Sequence, residues 1–115
     1  LYTTPYMHAT VEDVYQRLDQ VIDPELGISI VKLGLIYKVE VEPKADSPEA
    51  CVIKIRMTLT TPGCPLAAVF DHMVKDSLYG LPGLHSDMDV KVDLTFDPPW
   101  VSDMMDEEAR AELGF

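Results

Sequence analysis

Residues 51–60, CVIKIRMTLT, alternate without a break. Cys51, Ile53, Ile55, Met57 and Leu59 share one side, and Lys54, Arg56, Thr58 and Thr60 share the other. A period of two marks a strand with one buried face and one wet face. Two further segments repeat it. Leu35, Tyr37, Val39 and Val41 oppose Lys38, Glu40 and Glu42, while Met88, Val90, Val92, Leu94 and Phe96 oppose Asp87, Asp89, Lys91, Asp93 and Thr95. Three one-sided strands call for one sheet with a single covered face. The short polar loop PKADSPEA makes the first two an antiparallel hairpin. Between the second and third, Leu66, Val69, Phe70, Met73, Val74 and Leu78 recur at helical spacing. That predicts a helix over about residues 65–79 and a right-handed crossover joining parallel strands.

The rest of the chain supplies the cover. Thr10 followed by VED reads as an N-cap with an acid at the third helical position. Val11, Val14, Tyr15, Leu18 and Ile22 continue it as a helix over about residues 11–21. Pro24 and Gly27 in DPELG end that helix. DPPW stops the third strand, and SDMMDEEARAELGF reads as a short terminal helix capped by Ser102. The expected fold is α+β: a two-layer αββαβ(α) sandwich, its three-stranded mixed sheet carrying helices on one face. One domain over residues 10–115 is expected, after a disordered or extended segment at 1–9. The first residue is Leu1, which makes Met7 a candidate native start.

Charge narrows the function classes. The formal net charge of -11 repels phosphate backbones and anionic lipid, which argues against nucleic-acid and membrane partners and permits basic protein partners. No apolar run approaches the roughly 20 residues a membrane helix needs, and no basic-then-apolar leader opens the chain. Two cysteines do not make a disulfide framework, so a reducing cytoplasm is the expected setting.

The cysteines differ. Cys51 is in register with Ile53 and Ile55, as a small buried apolar group would be. Cys64 sits in TPGCP, between Gly63 and Pro65 at the strand–helix junction. Proline favours the first position of a helix, which makes Cys64 the N-cap or its neighbour. Unpaired N–H groups and the helix dipole there favour thiolate and lower the thiol pKa. Gly63 leaves space beside the sulfur, and Thr60 and Thr61 add hydroxyls nearby. The plainer reading is a cysteine that only fills a cap position. One cysteine is not a metal site: a closed zinc site takes four ligands, and an iron–sulfur cluster usually four thiolates. Stable cluster binding through this chain would need a second chain, a partner or small-molecule thiols.

VIDPELGISIVKLGLIY, MTLTTPGCPL, LPGL, DPPW and the terminal LGF occur in this order. With them the chain resembles the SufT, PaaD and Mip-type iron–sulfur assembly proteins, long filed as domain of unknown function fifty-nine, from about Val11 to Phe115. The resemblance implies the fold of the C-terminal domain of NifU-like scaffolds. It implies a reactive cysteine at Cys64, the candidate iron–sulfur ligand. It assigns the family's acidic pair to Asp23 and Glu25, its threonines to Thr58, Thr60 and Thr61, and its aromatic residue to Trp100. The implied role is iron–sulfur cluster assembly, maturation or transfer, without catalysis. Its implied cofactor is a labile cluster bridged between chains or held with a partner, and its implied partners are the assembly machinery, acceptor apoproteins and a second copy in a homodimer.

Two other classes stay open from the residues. A thiol enzyme would use Cys64 as nucleophile, although no histidine base is visibly paired with it. A protein–protein adaptor would recruit partners without binding a cluster. Asp23 and Glu25 read either as a solvated turn or as carboxylates approaching Cys64; a carboxylate there would raise the thiol pKa. His8, His72 and His85 read as surface residues. Trp100 reads as core packing, or as a partner anchor. Met104 and Met105 read as cover for the core edge.

Overall fold

The structure is a computed structural model and describes residues 9–45, 47–60, 67–84 and 89–114. Its elements are α1 (Val11–Leu18), β1 (Ile36–Lys44), β2 (Ser47–Met57), α2 (Ala67–Ser77), β3 (Val90–Leu94) and α3 (Glu107–Leu113), with a 3₁₀ turn at Ser102–Met104 before α3. The sheet order is β1-β2-β3. β1 and β2 pair antiparallel, and β2 and β3 pair parallel across the α2 crossover. This is the α+β arrangement with a mixed sheet that the three alternating segments require.

Alternation on β2 holds where the ladder holds. Cys51, Ile53, Ile55 and Met57 are buried, while Lys54 and Arg56 face solvent. The ladder ends at Met57, and there the expected pattern fails. Thr58 was expected on the wet face but is fully buried; its N–H donates to the Leu35 carbonyl at 2.9 Å, one position beyond the last ladder pair. β1 departs as well. Ile36 pairs with Met57 and Lys38 with Arg56, so Tyr37 is an extra residue in a bulge. Ile36 therefore takes the place opposite Met57 that simple alternation denied it. A second irregularity falls at Pro43 and Lys44.

α1 begins as expected. Thr10 Oγ1 accepts from the Asp13 N–H at 3.2 Å, and Asp13 Oδ2 accepts from the Thr10 N–H at 3.0 Å, a reciprocal capping box. It ends at Leu18, earlier than the spacing predicts. Ile22 forms a bridge with Ser29, Ile30 donates to the Val21 carbonyl, and Ser29 Oγ donates to Asp19 Oδ1 at 2.6 Å. These contacts draw residues 19–22 into a turn that closes on 28–30.

The terminal helix is capped by Asp106, not Ser102: Asp106 Oδ1 accepts from the Ala109 N–H at 2.8 Å. Ser102 opens the 3₁₀ turn instead. Met105 and Ala109 are buried against the core. β3 spans Val90–Leu94, shorter than the expected 87–96, although Thr95 still donates to the Met57 carbonyl at 2.8 Å. Its expected start, and the junction at which α2 was expected to begin, lie outside the described residues.

One core joins the layers. Leu18 of α1, Val74 of α2, Ile53, Ile55 and Met57 of β2, and Ile30, Leu33 and Leu35 of the α1–β1 loop are fully buried within it. Arg17 ties the helices together. Its Nη1 donates to the carbonyls of Ser77 and Tyr79, both at 3.1 Å, at the C-terminal end of α2. A cation is favoured there because the last carbonyls lack intrahelical partners.

Candidate functional site

The expected site residues fall into three groups. Asp23 and Glu25 lie in the α1–β1 loop, Thr58 and Thr60 at the end of β2, and Trp100 after β3. Thr61, Gly63 and Cys64 lie outside the described residues.

Asp23 is buried, and its carboxylate serves its own turn. Oδ1 accepts from the N–H groups of Glu25 at 2.7 Å and Leu26 at 3.1 Å. Its carbonyl accepts from Gly27, and its N–H donates to Ile28. Gly27 has φ 71°, which the reversal needs and a side chain would disfavour. Pro24 fits this turn because it needs no N–H there. Glu25 is exposed on the turn. These bonds form the turn of the first reading; Cys64, on which the second reading depends, lies outside the described residues.

Thr58 and Trp100 converge on the last residues of the same loop. Thr58 holds the Leu35 carbonyl through its backbone, and Trp100 Nε1 donates to the Leu33 carbonyl at 2.7 Å. Trp100 is half-buried and packs against the core. Between these two points, Gly34 has φ 80°, and a Cβ there would run into the Met104 carbonyl. Tyr37, the bulged residue, donates through its hydroxyl to the Pro98 carbonyl at 2.7 Å and lies 3.6 Å from Met104 Sδ. The Asp97–Pro98 peptide is cis. The end of β2, the 33–35 backbone and the 98–104 segment thus form one hydrogen-bonded platform. Thr60, half-buried, is the last described residue before the TPGCP segment.

Cys51 is a different kind of thiol. It is fully buried, and its Sγ lies 3.9 Å from the Pro82 carbonyl. Burial pushes its pKa above the usual thiol value, and the Asp89 carboxylate pushes the same way; the Ala9 backbone and the Lys44 ammonium oppose both. A buried neutral thiol is a poor nucleophile and a poor ligand. Among the described residues, no group of three or more His, Cys, Asp or Glu side chains could hold a metal ion. Nor, among them, is any helix long and apolar enough to cross a membrane. His72 is exposed on α2.

Sequence reasoning passed over Arg17, Ser29, Asp19 and Tyr37. The Arg17 contact spans 60 residues to Ser77, and the Tyr37 contact spans 61 to Pro98, so no local pattern carries either. Asp19 and Ser29 flank the DPELG turn, and an Asx-rich turn was the available signal for a closing hydrogen bond.

Comparison with known proteins agrees across nearly the whole chain. The family described as "iron-sulfur cluster assembly protein" matches residues 11–92. An "Fe-S protein maturation auxiliary factor" of Porphyromonas gingivalis is 42% identical over 106 residues, covering 92% of each chain. The "Fe-S protein maturation auxiliary factor SufT" of Staphylococcus aureus is 43% identical over 94 residues, 82% of this chain and 97% of the relative. A crystal structure of a "domain of unknown function" protein from Bacillus anthracis superposes with a TM-score of 0.74 at 34% identity, covering 90% of this chain and 91% of that one. With the TPGCP segment inside the matched range and the αββαβ order beneath it, the chain belongs to the iron–sulfur cluster assembly protein family.

Proposed function

We propose that this protein is an iron–sulfur maturation factor that helps clusters form or reach acceptor apoproteins, with Cys64 as the cluster-facing thiol. The observation that carries the reading is the 42% identity, over 92% of the chain, to a protein named as an Fe-S protein maturation auxiliary factor. The cluster is cargo on this reading. A single thiolate falls short of the four ligands a cluster takes, so the cluster is shared with a second chain or a partner. The role is non-catalytic, and the setting is a reducing cytoplasm, where Cys64 stays a thiol. The platform supports this reading because it anchors Thr58 at the end of β2, shortly before the TPGCP segment in sequence. Asp23 acts on this reading by shaping its loop, and Trp100 by holding that loop to the sheet.

Anaerobic reconstitution with iron and sulfide tests it, read by visible absorption and iron content. The intact protein is compared with Cys64→Ala and Cys51→Ala. Colour and iron lost only in Cys64→Ala is the expected result. No cluster in any of the three rejects direct carriage. Transfer from a loaded scaffold to an acceptor apoprotein that still depends on the protein, but not on Cys64, would then favour the adaptor role.

A further inference from the structure

The two edges of the sheet are not equivalent. β1 is kinked at both ends, by the Tyr37 bulge and by the irregularity at Pro43 and Lys44. Bulges and prolines are the usual means of making an edge unfit for pairing. β3 has neither. Its residues Val90, Lys91, Val92, Asp93 and Leu94 run in unbroken register along β2.

The direction of its free groups follows from one bond. Thr95 donates to the Met57 carbonyl, so the backbone groups of Thr95, Asp93 and Lys91 point toward β2. In an extended strand neighbouring residues alternate, so the N–H and C=O of Val90, Val92 and Leu94 point away from the sheet. Among the described residues, none of these outward groups has a hydrogen-bond partner. Val92 and Leu94 remain only half-buried although they pack against the core.

The side chains say what fits. An antiparallel strand centred on Val92 would set Val90 opposite position 94, Lys91 opposite 93 and Val92 opposite 92. With a second copy of VKVDL in that place, Lys91 meets Asp93 of the second copy, twice by symmetry. The apolar residues meet apolar residues on the core side. Any shift of register by two residues sets a charge beside an end or a like charge. Within one copy, Lys91 lies directly beside Lys54, an unfavourable neighbour on a parallel ladder, and forms no ion pair among the described residues. Asp93 already pairs with Arg56 at 3.1 Å, so an incoming Lys91 extends an existing pair into a network.

We propose that β3 is a homodimerisation edge, joining two copies by antiparallel β3–β3 pairing centred on Val92 into one six-stranded sheet. The contact is short and the dimer correspondingly weak. This proposal stands apart from the maturation role, since it rests on β3 alone and its test needs no cluster.

The test is sedimentation of the full chain up to about 1 mM, the range in which small interfaces assemble. The intact protein is expected to dimerise. Lys91→Asp and Asp93→Lys each place like charges opposite one another twice, and each is expected to weaken dimerisation by about tenfold or more. Mixing these two variants restores both complementary pairs, so a heterodimer is expected from two chains that are monomeric alone. That recovery also shows that both variants are folded. Hydrogen exchange supplies a second readout: the Val90, Val92 and Leu94 amides should gain protection with concentration, and those of β1 should not. A monomer at all concentrations overturns the proposal. So does a dimer that either single reversal leaves unchanged, or a mixture that stays monomeric while both variants give native amide spectra.

Discussion

Trp100 Nε1 donates to the Leu33 carbonyl at 2.7 Å, tying residues 67 positions apart into one corner of the molecule. The bond explains why a tryptophan follows two prolines. The indole needs both a core to lie against and an acceptor for its N–H. Trp100→Phe keeps the ring and loses the donor. It should lower stability by about 1–2 kcal/mol, measured by urea unfolding followed by circular dichroism. Trp100→Ala should cost about 3 kcal/mol or more, because the packing goes as well.

Asp23 offers a way to separate fold from function. Asp23→Ala removes the acceptor of two backbone N–H groups and should cost about 1–2 kcal/mol. Asp23→Asn keeps an acceptor oxygen and should cost well under half of that. If Asp23→Asn is stable and supports maturation normally in cells, the residue acts through its turn. A stable but inactive Asp23→Asn would instead show that the negative charge is required.

Two glycines with positive φ should respond differently to alanine. Gly27 at φ 71° faces open space, so Gly27→Ala should cost about 1 kcal/mol for backbone strain alone. Gly34 at φ 80° also abuts the Met104 carbonyl. Gly34→Ala should therefore cost about 3 kcal/mol or more, with strain and clash together. Thermal unfolding of the two variants side by side checks the order.

Arg17→Met keeps most of the aliphatic stem and removes both bonds to the end of α2. A loss of about 1–2 kcal/mol is expected, with earlier hydrogen exchange in the last turn of α2. Equal protection there in both proteins would count against a capping role.

Cys51 gives a pH signature. Burial raises its pKa above the ordinary thiol value of 9.0. The folded protein thus holds the proton that the unfolded chain releases. The stabilisation is fully present below about pH 9 and is lost as pH rises from there through the folded pKa. Urea midpoints between pH 7 and 11 should fall less steeply in Cys51→Ala than in the intact protein, although the variant starts lower. In native protein at neutral pH, Cys51 should also resist alkylation that proceeds at once in urea.

Much of the fold was legible because three strands have one face each. The Cys51 to Met57 alternation fixed which side of the sheet the helices cover, and TVED marked the start of α1. What the sequence concealed were breaks in period. Thr58 looked like the next polar residue in line, yet the ladder had ended one residue earlier, at Met57. Tyr37 looked like a core position until the bulge shifted its neighbours. Each has a partner distant in the chain, Leu35 for Thr58 and Pro98 for Tyr37, and alternation holds no record of either. Ser102 lost the cap to Asp106 because a 3₁₀ turn intervened, and both residues are good caps. In the site, the turn around Asp23 was readable from its Asp-Pro and Gly. The platform was not, since it is made of backbone carbonyls whose identity no side chain announces.

The bulge at Tyr37 and the irregularity at Pro43 set the valency of the sheet. Fibrillar growth needs two pairing edges on every molecule, because each copy added must leave one for the next. A copy engaged through β3 has only β1 left, and β1 is kinked where a newcomer would have to lie flat. On the proposed β3 pairing, association along this sheet terminates at two copies, and the deformation in β1 acts as the stop.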